Sequence, residues 1–174
     1  LHRREGQHYL RMGKMATWHN DDLQSFSPLR FMVPQLMSYQ GRALVTDPDV
    51  FSVHGDVLDL LQSDMGGKAV ICRNLPAEKG GGAGRWATSV MLLDCAKLGH
   101  WRWDEQIDAM FDGRLDYKRW VQLAEEPPGT IGDLDALEAA IAAHRYDPHL
   151  DLDGDRDVDV DDATIASLSL FLPP

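Results

Sequence analysis

Three short apolar runs constrain the fold of this 174-residue chain more than any other feature of its sequence. They cover residues 43–45, 69–72 and 89–93, and each is followed by a polar or charged residue. Apolar runs of this length are too short for typical helices and are characteristic of strands that are buried on both faces. The pattern therefore predicts three strands inside the fold.

Helical patterns precede and follow these strands. Residues 25–39 are predicted to form a helix with a kink at Pro34. Residues 104–126 are predicted to form a helical region that is broken at residues 112–113, and residues 133–144 predict a further, alanine-rich helix. Strands that alternate with helices predict an α/β fold with a mostly parallel sheet flanked by helices.

Composition and charge argue against two classes of partner. No apolar run approaches the ~20 residues that a membrane-spanning helix needs, so no membrane span is expected. The net charge of -11 argues against general binding to nucleic acid, which needs an excess of Lys and Arg on one face. No signal-peptide pattern lies near Leu1, and we expect a cytoplasmic protein. Cys72 and Cys95 lie within apolar runs and are expected to be buried thiols.

Two aspartates follow the first predicted strand. Asp47 and Asp49 stand on either side of Pro48. In open α/β sheets, ligands bind beyond the carboxyl ends of strands. Two carboxylates at such a position are suitable ligands for Mg²⁺ or Mn²⁺, with a diphosphate in the remaining coordination positions. The alternative is a simple turn, because Asp and Pro are both common turn residues.

Two longer stretches resemble a known family of enzymes. Residues 26–51 contain an arginine-bearing segment that leads into a strand and an Asp-x-Asp motif, and residues 85–95 contain the sequence RWATSVMLLDC. Both are similar to bacterial glycosyltransferases related to family 8, as are residues 116–118 and 130–132. The resemblance implies that residues 1–135 form a partial GT-A domain. It further implies transfer of a sugar from a nucleotide-diphosphate donor to an acceptor hydroxyl.

The resemblance also implies roles for four residues near the Asp-x-Asp motif. Asp47 and Asp49 would hold Mn²⁺ or Mg²⁺ together with the diphosphate of the nucleotide sugar. Arg30 would reach toward the donor, and Ser89 would lie beside its sugar. Both have structural alternatives: Arg30 as one member of an ion pair, and Ser89 as a hydrogen-bonding partner of the backbone.

A second acidic segment is assigned a catalytic role by the same resemblance. Asp133 and Asp135 correspond to an Asp-Gln-Asp segment that approaches the transferred sugar in the family, although Leu134 stands here in place of Gln. Asp133 as a helix N-cap, with Asp135 in the first turn, is the alternative. No segment here is similar to the family's C-terminal histidine segment, so the resemblance implies an incomplete donor site.

The acidic C-terminal tail has the spacing of a calcium loop. In residues 151–162, acidic side chains occupy positions 1, 3, 5, 7, 9 and 12 of a twelve-residue loop. The loop resembles that of dockerin modules, and residues 136–174 are predicted to form a helix–calcium-loop–helix appendage that binds Ca²⁺ and a protein partner. The alternatives are a solvated acidic linker, or a non-catalytic calcium-binding module on a decayed enzyme scaffold. The predicted calcium ligands are Asp151, Asp153, Asp155, Asp157 and Asp162.

Overall fold

A four-stranded mixed sheet and a separate β-hairpin, with short helices packed around them, make up the fold. The computed structural model describes residues 1–22, 24–50, 52, 56–74, 85–135 and 137. No helix within these residues is long and apolar enough to cross a membrane. The strands are β1 (His8–Arg11), β2 (Lys14–Thr17), β3 (Arg42–Thr46), β4 (Val70–Asn74), β5 (Trp86–Asp94) and β6 (Ile131–Asp133). The α-helices are α1 (Val33–Leu36), α2 (Val57–Gln62), α3 (Trp103–Phe111) and α4 (Tyr117–Val121), and 3-10 helices cover His2–Arg4, Ser27–Met32 and Cys95–Lys97.

The central sheet has the strand order β3-β5-β4-β6. Strand β5 is antiparallel to both of its neighbours, whereas β6 is parallel to β4. Strands β3, β4 and β6 therefore point in one direction, and β5 runs the opposite way between two of them. The expected mostly parallel pairing is wrong for two of the three strand pairs, because an apolar run does not encode the direction in which a strand enters a sheet.

The three strands predicted from the apolar runs are present as β3, β4 and β5, but β3 is only partly buried, whereas β4 and β5 both contain buried residues. The break near residue 112 is also confirmed, since α3 ends at Phe111 and Gly113 adopts a positive φ of 74°. The predicted helix over residues 25–39 is instead a 3-10 helix followed by the single turn α1, with Pro28 and Pro34 near the starts of the two helices. Proline lacks the N–H that a continuous α-helix requires, so the segment is divided.

The core lies between the sheet and the helices, and aromatic side chains dominate its centre. Phe31 is fully buried and packs against Trp101 and Trp120, with both ring-centroid distances at 4.9 Å. The expectation of buried thiols is confirmed for Cys72 and Cys95. Burial, with a smaller contribution from the nearby Asp133 charge, raises the pKa of Cys72 to about 12, so this thiol is inert at neutral pH.

The hairpin β1–β2 was not anticipated from the sequence. Its turn contains Met12 and Gly13, both at positive φ, as a tight two-residue hairpin turn requires. Tyr9 of β1 packs edge-on against Trp18 and Tyr117 at centroid distances of 5.4 and 5.7 Å. The contact with Tyr117 attaches the hairpin to α4.

Asp116 fastens the same hairpin to α4 through hydrogen bonds. Its carboxylate accepts backbone N–H bonds from Gly13 at 2.8 Å, Lys118 at 2.9 Å and Arg119 at 3.2 Å. It is therefore the N-cap of α4 and the anchor of the hairpin turn at once. Burial opposes the ionisation of Asp116, but the backbone hydrogen bonds, that of Gly13 foremost, outweigh it and hold the pKa of this carboxyl below its ordinary value.

We predict that Asp116→Ala lowers the free energy of unfolding by about 2 kcal/mol, since it removes a helix cap and a hydrogen bond to a charged acceptor. Urea unfolding at neutral pH measures this change. Asp112→Ala is the matched control, because the side chain of Asp112 is 60% exposed and its ion-pair partner among the described residues is the exposed Arg114. Equal losses in the two variants would contradict the anchoring role.

The loss of unfolding free energy in Asp116→Ala should depend on pH, and the pKa of Asp116 fixes the direction of this dependence. The folded pKa of Asp116 is lower than the unfolded one, so the stabilisation is fully present above the unfolded value and is lost as the pH falls through the folded value. The difference in unfolding free energy between the native protein and Asp116→Ala should therefore shrink once the pH is lowered below about 4. A constant difference down to complete acid unfolding would refute the assignment.

Candidate functional site

A cleft opens at the edge of the sheet where β3 ends and β5 begins. Its volume is about 260 Å³. The 3-10 helix Ser27–Met32 and helix α4 form its other walls. The side chains that line it are those of Gln24, Ser27, Arg30, Asp47, Trp86, Ala87, Thr88, Ser89, Tyr117, Lys118, Val121 and Gln122. The cleft thus includes the carboxyl end of β3, the position at which the sequence predicts a ligand site.

An ion pair between Arg30 and Asp47 lies in this cleft. Nη2 of Arg30 is 2.6 Å from Oδ2 and 2.5 Å from Oδ1 of Asp47. Nη1 donates to Oγ1 of Thr88 at 2.9 Å, and that hydroxyl donates to the carbonyl of Val121 at 2.8 Å. The Arg30 and Asp47 side chains are only 13% and 15% exposed, so water screens their attraction weakly. One guanidinium therefore connects the ends of β3, β5 and α4.

Three of the residues singled out from the sequence come together here. Arg30, Asp47 and Ser89 all line the cleft. The backbone N–H of Asp47 donates to the Ser89 carbonyl at 2.8 Å, which continues the pairing of β3 with β5 by one residue. The structural alternative for Arg30, an ion pair, describes its contacts in this structure. Roles of Arg30 and Ser89 toward a donor remain predictions.

Asp49 has a different environment from Asp47. It is exposed and does not line the cleft. The Val50 N–H donates to the Asp47 carbonyl at 3.1 Å, so residues 47–50 form a turn, as the alternative interpretation expected. Among the described residues, no three His, Cys, Asp or Glu side chains are grouped so that they could hold a metal ion. The Asp-x-Asp motif thus supplies at most two carboxylates to a cation, and further ligands would come from the substrate and water.

Asp133 and Asp135 do not take part in this cleft. Asp133 ends β6, which lies at the edge of the sheet opposite β3. Three inter-strand spacings, or about 14 Å, separate these two strands. Its Oδ1 accepts the Asp135 N–H at 3.2 Å, as the capping interpretation expected. Asp135 pairs with Arg73 at 2.9 Å, and both side chains are more than half exposed. Their positions give no support to the catalytic role that the resemblance implied.

Lys118 is a cleft residue that the sequence reasoning overlooked. The sequence assigns it no role beyond the resemblance of residues 116–118 to the glycosyltransferases. Burial, together with the positive charges of Arg11 and Arg85, holds the pKa of the Lys118 ammonium below its ordinary value. The sequence signal that could have revealed it is weak, because a single lysine in a helical pattern is usually exposed.

The predicted calcium ligands lie outside the described residues. Asp151, Asp153, Asp155, Asp157 and Asp162 all follow residue 137, as does nearly all of the proposed appendage 136–174. Their assignment remains a prediction from the sequence.

Comparison with known proteins found no matching family model, no matching curated protein and no matching solved structure.

We predict that Arg30 and Asp47 are energetically coupled. In a double-mutant cycle of Arg30→Met and Asp47→Asn, each single change leaves its partner poorly compensated in a weakly screened site. The two changes together should therefore cost about 1–3 kcal/mol less than the sum of the single changes. Urea unfolding of the four proteins measures this coupling.

The control cycle uses Arg102 and Glu105, whose side chains are 62% and 68% exposed. There the coupling should be about 0.5 kcal/mol or less, because an exposed pair is well screened. Additive effects of the Arg30 and Asp47 changes would show that the pair does not stabilise the cleft.

Proposed function

We propose that the chain is part of a metal-dependent glycosyltransferase, which transfers a sugar from a nucleotide-diphosphate donor to an acceptor hydroxyl. The observation that carries the proposal is the Arg30–Asp47 pair, held in a cleft at the carboxyl end of β3 beside Ser89. This combines the arginine, the first aspartate of the Asp-x-Asp motif and the serine for which the family resemblance implies donor contacts.

The two carboxylates of the Asp-x-Asp motif are suitable ligands for a hard divalent cation. Mg²⁺ and similar ions commonly bind one or two carboxylates and take their other ligands from substrate phosphates and water. Asp47 and Asp49 would hold Mn²⁺ or Mg²⁺ in this way. The bound ion would supply Lewis-acid stabilisation of the negative charge on the departing diphosphate.

The chain's own residues have separate tasks in this proposal. Arg30 positions the Asp47 carboxylate, since its guanidinium is itself fixed by the Thr88 hydroxyl. Ser89 offers a hydroxyl to the sugar from the adjacent strand. In the reaction, the acceptor oxygen bonds to the anomeric carbon, the bond from that carbon to the diphosphate oxygen breaks, and the proton of the acceptor hydroxyl passes to the departing diphosphate or to water.

The decisive measurement is the titration of uridine and guanosine diphosphates into the protein with and without Mn²⁺. We expect Mn²⁺-dependent binding that is at least ~10-fold weaker in Asp49→Asn, because the cation loses one of its two carboxylates. Asp49 is exposed, so this variant should unfold at nearly the same temperature as the native chain.

Asp112→Asn removes another exposed carboxylate that does not line the cleft, and it should bind the nucleotides like the native chain. Nucleotide binding that is absent, that needs no divalent ion, or that is unchanged in Asp49→Asn would each overturn the proposal.

A second candidate function arises from the acidic loop 151–162, whose alternating carboxylates match the ligand positions of a calcium loop. The tail would then act as a calcium-dependent module that binds a protein partner. Titration with Ca²⁺ should give binding that persists in Asp47→Asn and disappears when Asp151→Asn and Asp162→Asn are combined. Loss of Ca²⁺ binding in Asp47→Asn instead would assign the ion to the cleft.

A further inference from the structure

The charged side chains that line the cleft have a net positive charge, whereas the chain as a whole has a net negative charge. The whole chain has a net charge of -11, yet the charged side chains that line the cleft are two cations, Arg30 and Lys118, and one anion, Asp47. Arg11 and Arg85 add positive potential at Lys118. An anionic protein that concentrates cations in one concave site creates a local attraction for negatively charged ligands.

The two cations that line the cleft differ in how they are compensated. Arg30 has the Asp47 carboxylate within 2.6 Å, so its charge is neutralised by the protein. The Lys118 ammonium makes no hydrogen bond or ion pair with any other residue that the structure describes, and the charges that act on it are those of Arg11 and Arg85. Burial destabilises its charged form further. A ligand that carries an oxyanion would relieve this cost.

The neighbouring Arg11 does not occupy the same position as Lys118. Its guanidinium donates to Gln24 and to the Tyr9 hydroxyl, and it lies over the Tyr117 ring at 5.3 Å from the centroid. The Asp22 carboxylate compensates part of its charge. Lys118 is therefore the cation in the described part of the cleft wall that is available to a ligand.

We propose that Lys118 binds an oxyanion group of the substrate, a phosphate or a carboxylate, inside this cleft. The volume of about 260 Å³ falls below the ~300–1,000 Å³ of pockets for drug-sized ligands, and suits one sugar ring or one diphosphate. The amides of Gln24 and Gln122 and the hydroxyls of Ser27 and Ser89 line the same space and are suited to sugar hydroxyls. In naming a sugar substrate, the inference rests on the proposed function; the anion site does not.

Isothermal titration of the full chain in metal-free buffer tests this site. The probes are inorganic pyrophosphate, glucuronate and uncharged glucose. We expect at least one of the two anions to bind more tightly than glucose, and Lys118→Gln to weaken that binding by ~10-fold or more, because a charge-assisted contact is lost. Lys118→Arg should retain most of the affinity, since it keeps the cation. Lys118→Met provides a second neutral variant, and thermal unfolding verifies that each variant is folded.

Lys97→Gln is the matched control. It also removes one lysine charge, but Lys97 follows the far end of β5, where it pairs with Asp94 at 3.0 Å. Its anion binding should equal that of the native chain. If the binding of pyrophosphate depends on Lys118, this residue contacts the donor diphosphate. If the binding of glucuronate depends on it, the substrate contains an acidic sugar.

Two results would overturn the assignment. One is equal affinity of the native chain and both neutral Lys118 variants for the anions, and the other is the failure of both anions to bind. These titrations contain no metal, so a negative result would refute the anion site without refuting the proposed function. The proposed function is tested separately by Mn²⁺-dependent nucleotide binding and by Asp49→Asn.

Discussion

The guanidinium of Arg30 joins three parts of the fold at one point. It binds the Asp47 carboxylate at the end of β3 and the Thr88 hydroxyl on β5, and that hydroxyl continues to the carbonyl of Val121 on α4. A planar guanidinium with several N–H donors in fixed directions can make such divergent contacts, whereas a lysine ammonium acts as a point charge. The walls of the cleft are thus held together by the same group that orients its acidic residue.

A partly buried ion pair of this kind is more informative about geometry than about stability. Removing two charges from water is costly, and a well-packed apolar pair is often as stable or more stable. What the Arg30–Asp47 pair provides is a fixed carboxylate at a strand end, in the same cleft as Lys118, whose charge the described protein does not compensate. The described part of the cleft thus contains one carboxylate that is held by an ion pair and one ammonium that is not.

The parts of the fold that could be predicted are those that a short stretch of sequence encodes. Strands β3, β4 and β5 were visible as apolar runs, and the end of α3 was visible in the glycine at position 113. The hairpin β1–β2 was missed because its strands are short and contain a single buried residue, and because Met12 at positive φ gives no turn signature. Its position is fixed by Asp116 and Tyr117, roughly a hundred residues further along the chain.

The sequence by itself determined which segments form strands β3, β4 and β5 and placed the Asp47 motif directly after the first of them, since hydrophobic period and turn residues are local properties. Only the tertiary structure decided that β5 enters the sheet reversed, that Arg30 faces Asp47, and that Asp133 lies at the far edge. It also brought Lys118 into the cleft. Strand direction and contacts between distant residues depend on how whole elements pack, and that packing is not encoded in any short stretch of the chain.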